Sequence, residues 1–280
     1  MFPIVQAESI APGIKRFIIQ APRIARKHRP GQFVIVRLHE RGERIPLTIE
    51  RSEPEVGTIS LVVQSAGKTT SQMSGLSSGD SILDVVGPLG TASDIDRFGT
   101  VVVVSGGVGT AMAYPTAAAL RQAGNDVIAI VGARTRELVI LEEEMRKVSN
   151  RLVLTTDDGS YGRRGFVTDA LREVMGEAPV ARVLAVGPLP MMKAVAETTR
   201  AAGIRTIVSL NPIMIDGTGM CGGCRVLVGG KSQFACVDGP EFDAHQVDFD
   251  TLMKRNTTYR ECERASMERY RTELREVVQA

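Results

Sequence analysis

The stretch from Asp216 to Cys236 constrains this chain more than any other, because it gathers three of the four cysteines. Two residues stand between Cys221 and Cys224, and four between Asp216 and Cys221. Cys236 follows a hairpin-like segment of Val226 to Val228, Gly229-Gly230 and Gln233 to Ala235. This is the C-x4-C-x2-C…C spacing of a plant-type iron-sulfur site, with an aspartate in the first place. A loop around a small anionic cluster must turn tightly and aim backbone N–H groups at the sulfurs, and Gly217, Gly219, Gly222 and Gly223 suit such turns. The reading taken is a [2Fe-2S] site held by Asp216, Cys221, Cys224 and Cys236.

Other readings stay open at this point. A zinc site would normally bring a second short-spaced ligand pair, which is missing. A redox-active C-x-x-C would normally open a helix, and Gly222-Gly223 is poor helix material. Unliganded buried thiols are a third reading. Asp216 could itself be a turn aspartate that bonds its own backbone before Gly217. Cys262, in a charged helical segment, reads as a surface or packing thiol.

At 280 residues the chain has room for two or more domains. Its 34 Lys and Arg nearly balance 32 Asp and Glu, which points away from nucleic acid and anionic membranes. Few, clustered cysteines suit a reducing cytoplasm better than a disulfide scaffold, and the N-terminus lacks the basic and apolar regions of a signal peptide. The uncharged run Thr100 to Leu120 could span a bilayer, but Gly106, Gly107, Gly109 and Pro115 interrupt it, so no membrane span is expected.

Residues 1 to about 96 read as short strands between turn signals: Gly13 to Ile19, Gln32 to Leu38, Ile45 to Glu50, Thr58 to Ser65 and Ser81 to Val86. They predict a small antiparallel β-barrel. Gly67-Lys68-Thr69-Thr70 marks a helix start that can present free N–H groups to a phosphate, or simply a capped helix. It is not a Walker A loop, since Val62 stands where the earlier glycine is required.

Residues 97 to 210 alternate strands (Val101 to Val104, Val127 to Val131, Leu152 to Thr155, Val183 to Val186) with helices (to Arg121, Glu137 to Val148, Val167 to Met175, Pro190 to Ala201). The expected fold is a doubly wound parallel sheet. Its ligand belongs at the carboxyl ends of the strands, where Gly106 to Thr110, Gly132-Ala133-Arg134, Asp157-Asp158-Gly159 and Gly187-Pro188 converge. The dinucleotide fingerprint is incomplete, with Met112 in place of a third glycine. The cluster segment, 211 to 250, follows. A charged helical tail, 251 to 280, ends the chain, with Met267, Tyr270, Leu274, Val277 and Val278 in one packing stripe. His28, His39 and His245 are expected at the surface.

Pro30-Gly31-Gln32-Phe33-Val34, Gly42 to Ile49, Asp84 to Gly90, Thr156 to Gly162 and Asn211 to Cys224 resemble the small FAD-containing subunit of the NADH-dependent reduced ferredoxin:NADP oxidoreductase, also known as sulfide dehydrogenase subunit beta. That family lies within the ferredoxin reductase-like flavoproteins, and the resemblance covers nearly the whole chain. It implies FAD on the barrel, with Arg44, Pro46, Leu47 and Thr48 along the flavin and Gly67, Lys68, Thr69 and Thr70 at its pyrophosphate. Pro46 stands where the wider superfamily often has an aromatic residue. It implies nicotinamide-nucleotide contacts at Gly106, Gly107, Gly109 and Gly187; Thr110 to Met112 depart from the Ile-Ala-Pro family form. Arg134, Asp157 and Asp158 join the site from the loop ends. The resemblance further implies NAD(H) here, although Arg134 and Arg136 could suit a 2′-phosphate. It also implies a larger flavin and iron-sulfur partner similar to the small subunit of glutamate synthase, with ferredoxin a further candidate partner. The expected role is electron transfer between NAD(H), FAD and a [2Fe-2S] cluster. The dihydroorotate dehydrogenase electron-transfer subunit is similar in plan, but has cysteine at all four cluster places. A nucleotide-binding redox sensor or zinc module is the alternative of another class.

Overall fold

The computed structural model describes residues 1–279, with side chains through residue 276. The first unit comprises β1 (Phe2–Ala11), β2 (Ile14–Gln20), α1 (Pro22–Ala25), β3 (Phe33–Arg37), β4 (Ile45–Glu53), β5 (Thr58–Gln64), α2 (Lys68–Ser74), β6 (Ser81–Ile82) and β7 (Asp84–Leu89). Its strands pair antiparallel in the order β6-β1-β2-β5-β4-β3-β7. Only Leu83 separates the two outermost strands in the chain, so the sheet nearly closes into the expected barrel. Phe17, Ile19, Ile49, Ile59, Leu61 and Met73 fill its interior.

Two features of the barrel were hidden in the sequence. Strand β1 was not among the expected strands; Pro3 is tolerated within it beside the two-residue β6, where it faces Ser81 near the end of the ladder. The expected strand Ser81 to Val86 is split at Leu83 into β6 and β7, where the chain turns the corner of the barrel.

The second unit contains β8 (Thr100–Gly106), α3 (Gly109–Gln122), β9 (Asp126–Ala133), α4 (Glu142–Val148), β10 (Arg151–Thr156), β11 (Arg163–Arg164), α5 (Val167–Glu177), β12 (Arg182–Val186), α6 (Leu189–Arg200) and β13 (Arg205–Ser209). After it come the hairpin β14 (Arg225–Val228) and β15 (Lys231–Phe234), then β16 (Glu241–Asp243), α7 (Phe249–Arg255) and α8 (Arg260–Gln279). The sheet order is β11-β10-β9-β8-β12-β13-β16, parallel except for β16. Val101 to Val104 are fully buried because helices cover both faces. The order reverses between β8 and β12, which opens a crevice beyond their carboxyl ends.

The expected helix over Glu137 to Val148 is broken. Arg136–Leu138 form one 3-10 turn, Leu141 takes a left-handed conformation (φ 56°), and the helix begins only at Glu142. Ile140 and Leu141 are instead drawn into an apolar seam with Ile14 and Val62 of the barrel, and that burial overrides helix propensity. β13 was also not anticipated. β16, from within residues 211 to 250, pairs antiparallel with β13 at Val208 and Phe242. No described helix is long and apolar enough to cross a membrane.

Candidate functional site

A cavity of about 830 Å³ occupies the crevice. Gly106, Gly107, Gly109, Arg134, Asp157 and Gly187 line it, as the sequence predicts. The close approach at Gly109 explains its residue type: a Cβ there would lie 2.5 Å from the Val186 carbonyl oxygen. Gly107 turns the loop with φ 56°. Thr110 does not face the cavity. It is buried beneath the loop, with its hydroxyl 3.1 Å from that of Ser105. Asp158 also lies outside the lining. Its carboxylate accepts from the Ser160 hydroxyl and N–H, which hold its pKa below the ordinary value. Asp158 therefore shapes the turn that presents Asp157.

Sequence reasoning missed the walls from other elements. Ile14 and Gln64 of the barrel close one side, Phe166, Met112 and Met191 contribute apolar surface, and Asn211 opens the cluster segment at the margin. Ile14, Gln64 and Phe166 carry no motif, and only the docking of barrel on sheet brings them into the same wall as Met112 and Asn211.

On the barrel, Pro46, Leu47 and Thr48 pair with Ile35, Val34 and Phe33, and Arg44 precedes the strand with its side chain exposed. The N-terminal end of α2 lies alongside. The Thr69 hydroxyl donates to Glu43 at 2.6 Å, joining the two segments assigned to the flavin. Thr70 Oγ1 accepts from the N–H groups of Ala66 and Gly67, and Lys68 is half-buried. A Cβ at Gly67 would meet no heavy atom within 4 Å, which leaves open space beside the start of the helix. These residues fit a flavin dinucleotide.

In the cluster segment the sulfurs of Cys224 and Cys236, both buried, converge to 3.2 Å. The pair sets two thiol donors side by side, so a small opening of the pair would let one metal take both. Burial, and then the neighbouring Cys224, push the Cys236 thiol up to about 12. Cys221 is exposed, and the Gly223 N–H donates to its sulfur at 3.4 Å. Gly217, Gly219 and Gly222 all have positive φ, at 78°, 84° and 65°. Asp216 accepts from the Thr218 N–H at 2.7 Å and the Cys221 N–H at 2.8 Å, and these bonds hold its carboxyl below the usual range. The turn-aspartate geometry is thus present, while each oxygen retains a further lone pair. Among the described residues, no three His, Cys, Asp or Glu side chains stand together at metal-binding distance. The thiol-rich donor set, the converged sulfur pair and the N–H groups aimed into the loop fit an iron-sulfur cluster. The segment is seated on the barrel: Gly217 lies so close that a Cβ would be 2.6 Å from Leu89 and 2.8 Å from Ile35. From α7, Arg255 donates to the Gly223 carbonyl.

Two histidines depart from their expected surface roles. His28 is half-buried with Nδ1 2.9 Å from the Ser52 hydroxyl, its Nε2 has no partner, and burial lowers its pKa to about 4. His245 Nε2 lies 2.9 Å from the buried Thr199 hydroxyl. His39 is exposed. Met267 and Tyr270 of α8 are half-buried, Leu274 is exposed, and the side chains of Val277 and Val278 lie outside the described residues.

Residues 211–248 match the iron-sulfur cluster binding domain of dihydroorotate dehydrogenase B, and residues 103–197 match the oxidoreductase NAD-binding domain. The chain is 50% identical over 267 residues to the dihydroorotate dehydrogenase B (NAD(+)) electron transfer subunit homolog of Thermotoga maritima, covering 95% of this chain and 94% of that one. It is 31% identical to the corresponding electron transfer subunit of Geobacillus thermodenitrificans, covering 87% of this chain and 96% of the relative. Among solved structures, a chain of the NADH-dependent reduced ferredoxin-NADP oxidoreductase, described for flavin-based electron bifurcation, superposes with a TM-score of 0.92. That pair shares 48% identity, covering 96% of this chain and 98% of the other. A ferredoxin NADP+ reductase from Neisseria gonorrhoeae shares the fold at 18% identity and a TM-score of 0.59, covering 72% of this chain and 90% of that one. The protein is an oxidoreductase subunit of ferredoxin reductase-like fold with a NAD-binding and an iron-sulfur domain, and it belongs to the family of dihydroorotate dehydrogenase B electron transfer subunits and their homologues.

Proposed function

We propose that this chain is an electron-relay subunit that carries FAD on the barrel, NAD(H) in the crevice and a [2Fe-2S] cluster on the 211 to 250 segment. One observation carries the reading: a single cavity is walled by barrel residues Ile14 and Gln64, by the dinucleotide loop at Gly106 to Gly109, and by Asn211 where the cluster segment begins. Three binding units thereby meet at one place. FAD, when bound, exchanges two electrons with a nicotinamide and single electrons with a cluster.

The chain's own residues bind, orient and exclude water. Arg44, Pro46, Leu47 and Thr48 would lie along the flavin, and Gly67 to Thr70 would receive its phosphates. Gly106, Gly107, Gly109 and Gly187 let the dinucleotide approach the backbone, while Phe166, Met112 and Met191 give the cavity an apolar wall. Asp216, Cys221, Cys224 and Cys236 form the ligand set, with Cys224 and Cys236 on one iron, as their separation supports. Arg134 and Asp157 both line the cavity. NAD(H) is the proposed partner there, by analogy with the relative whose name specifies NADH.

The relatives are electron transfer subunits, which implies a partner subunit. The partner proposed is a larger flavin and iron-sulfur protein similar to the glutamate synthase small subunit, acting in the cytoplasm as part of a ferredoxin:NADP oxidoreductase. A second reading, relay to a dihydroorotate dehydrogenase, is favoured by the match over residues 211–248. Copurification of an FMN-containing barrel protein would select it.

The test is an anaerobic NADH titration followed by absorbance and electron paramagnetic resonance, with iron, acid-labile sulfide and flavin assayed on the same sample. Bleaching of the flavin band together with a reduced [2Fe-2S] signal is expected. Flavin without iron, or zinc in place of iron, would overturn the relay reading, and comparing NADPH with NADH settles the nucleotide.

A further inference from the structure

The barrel and the dinucleotide-binding unit meet across a seam whose polar centre is Glu50. Strand β4 pairs regularly with β5 from Glu53 opposite Thr58 to Arg51 opposite Ser60, but Ile49, not Glu50, stands opposite the next residue, Leu61. Glu50 is therefore the extra residue of a β-bulge, a device that re-aims side chains. The bulge accounts for Glu50 and Arg51 both reaching the seam, where a regular strand would send neighbours to opposite faces.

Glu50 is 2% exposed, and its Oε1 has no hydrogen-bond partner. Two guanidinium nitrogens flank that oxygen, Arg16 Nη2 at 3.7 Å and Arg51 Nη2 at 3.8 Å. Each arginine then reaches across the seam. Arg16 donates to Glu144 of α4 at 3.2 Å, and through its other nitrogen to Glu8 of β1 at 3.2 Å. Arg51 donates to the Tyr114 hydroxyl of α3 at 3.1 Å, with its guanidinium 5.5 Å from the ring centroid. A buried carboxylate is expensive for stability alone, since an apolar residue would fill the site more cheaply. What it supplies is direction, because two planar guanidinium groups are oriented by one anion.

The positions matter for the relay. Glu50 lies two residues beyond Thr48 on the strand assigned to the flavin. Tyr114 lies on the helix whose first residue, Gly109, lines the dinucleotide cavity. We propose that Glu50 is a positioning residue for hydride transfer: by aiming Arg51 at α3 and Arg16 at α4 it sets the approach of the dinucleotide loop to the flavin strand. This rests on the relay reading above, in which NADH gives hydride to the flavin and becomes NAD+.

The test uses the holoprotein. Glu50→Gln, Tyr114→Phe and Arg16→Lys are mixed anaerobically with NADH, and flavin content, NADH affinity and the limiting rate of flavin bleaching are read separately. Hydrogen exchange of residues 109–122 and 142–148 is measured in parallel on the same holoproteins. Glu50→Gln should keep its flavin and its NADH affinity, lose roughly tenfold in limiting rate, and exchange faster in both helices. Tyr114→Phe, which removes one hydroxyl and keeps the ring, should show the same split to a smaller degree. It serves as the decisive variant if Glu50→Gln folds poorly. An unaltered limiting rate overturns the proposal, whatever the exchange shows. If NADH fails to bleach the flavin of the unaltered protein, the relay reading falls instead. The seam is then judged on exchange alone, where unchanged protection in both variants refutes it.

Discussion

The sulfurs of Cys224 and Cys236 lie 3.2 Å apart although the residues are separated by the β14-β15 hairpin. The hairpin, rather than the C-x-x-C spacing, brings together the buried half of the proposed ligand set, and Cys221 is its exposed member. Replacing Cys224 or Cys236 by serine should therefore abolish iron and acid-labile sulfide while leaving flavin bound to the barrel. Cys262→Ser, on the exposed face of α8, should retain both. Metal and flavin assays on the three variants check this.

Asp216 accepts from two backbone N–H groups, and we propose from the spacing that it is a ligand as well. If it ligates iron, Asp216→Cys should assemble a cluster with a shifted potential and altered paramagnetic spectrum, because thiolate is a softer donor than carboxylate. A cluster spectrum unmoved in both Asp216→Cys and Asp216→Asn would assign the residue to the turn alone.

Gly109 admits no side chain. In Gly109→Ala the new Cβ would be 2.5 Å from the Val186 oxygen and 2.9 Å from the Gly187 Cα, so the start of α3 must retreat from β12. Reduction of the flavin by NADH should fall by about 100-fold, a typical consequence of misplacing reactants by about 1 Å, with flavin content unaltered. Gly176→Ala, in α5 with nothing within 4 Å of the new Cβ, should be neutral or stabilise by up to about 1 kcal/mol. Rapid-mixing kinetics and thermal unfolding compare the two.

His28 gives the fold a pH dependence of known sign. Burial lowers its pKa from 6.5 to about 4, so between these values the unfolded chain takes up the proton first. Its contribution is complete above pH 6.5 and is lost as the pH falls toward 4. At about 1.4 kcal/mol per pH unit the loss reaches about 3 kcal/mol. Denaturant unfolding at pH 7 and pH 4.5 should show a smaller difference for His28→Gln than for the unaltered protein.

Much of this architecture was legible where one local signal decided it. Val101 to Val104 is a fully buried strand because no charge interrupts it, and Gly106 to Gly109 follows it as a turn. The cysteine spacing likewise marked the iron-sulfur segment. Long-range packing hid the rest. The break at Leu141 exists because Ile140 and Leu141 meet Ile14 and Val62, more than seventy residues away in the chain. Thr110 was named for the cavity from its neighbours, but its hydroxyl turns inward to Ser105. Glu50 carried no motif at all, since only the bulge and the two crossing arginines give it a role.

The strand β16 has a consequence for how such chains can be shortened or recombined. It caps β13, setting Phe242 beside the buried Val208. Removing everything beyond Ser209 would leave an unpaired, apolar strand edge, the kind of surface that recruits other chains into aggregates. The iron-sulfur segment is thus no detachable cartridge: a lineage that dispensed with the metal would still have to keep, or replace, the strand that lies within the segment.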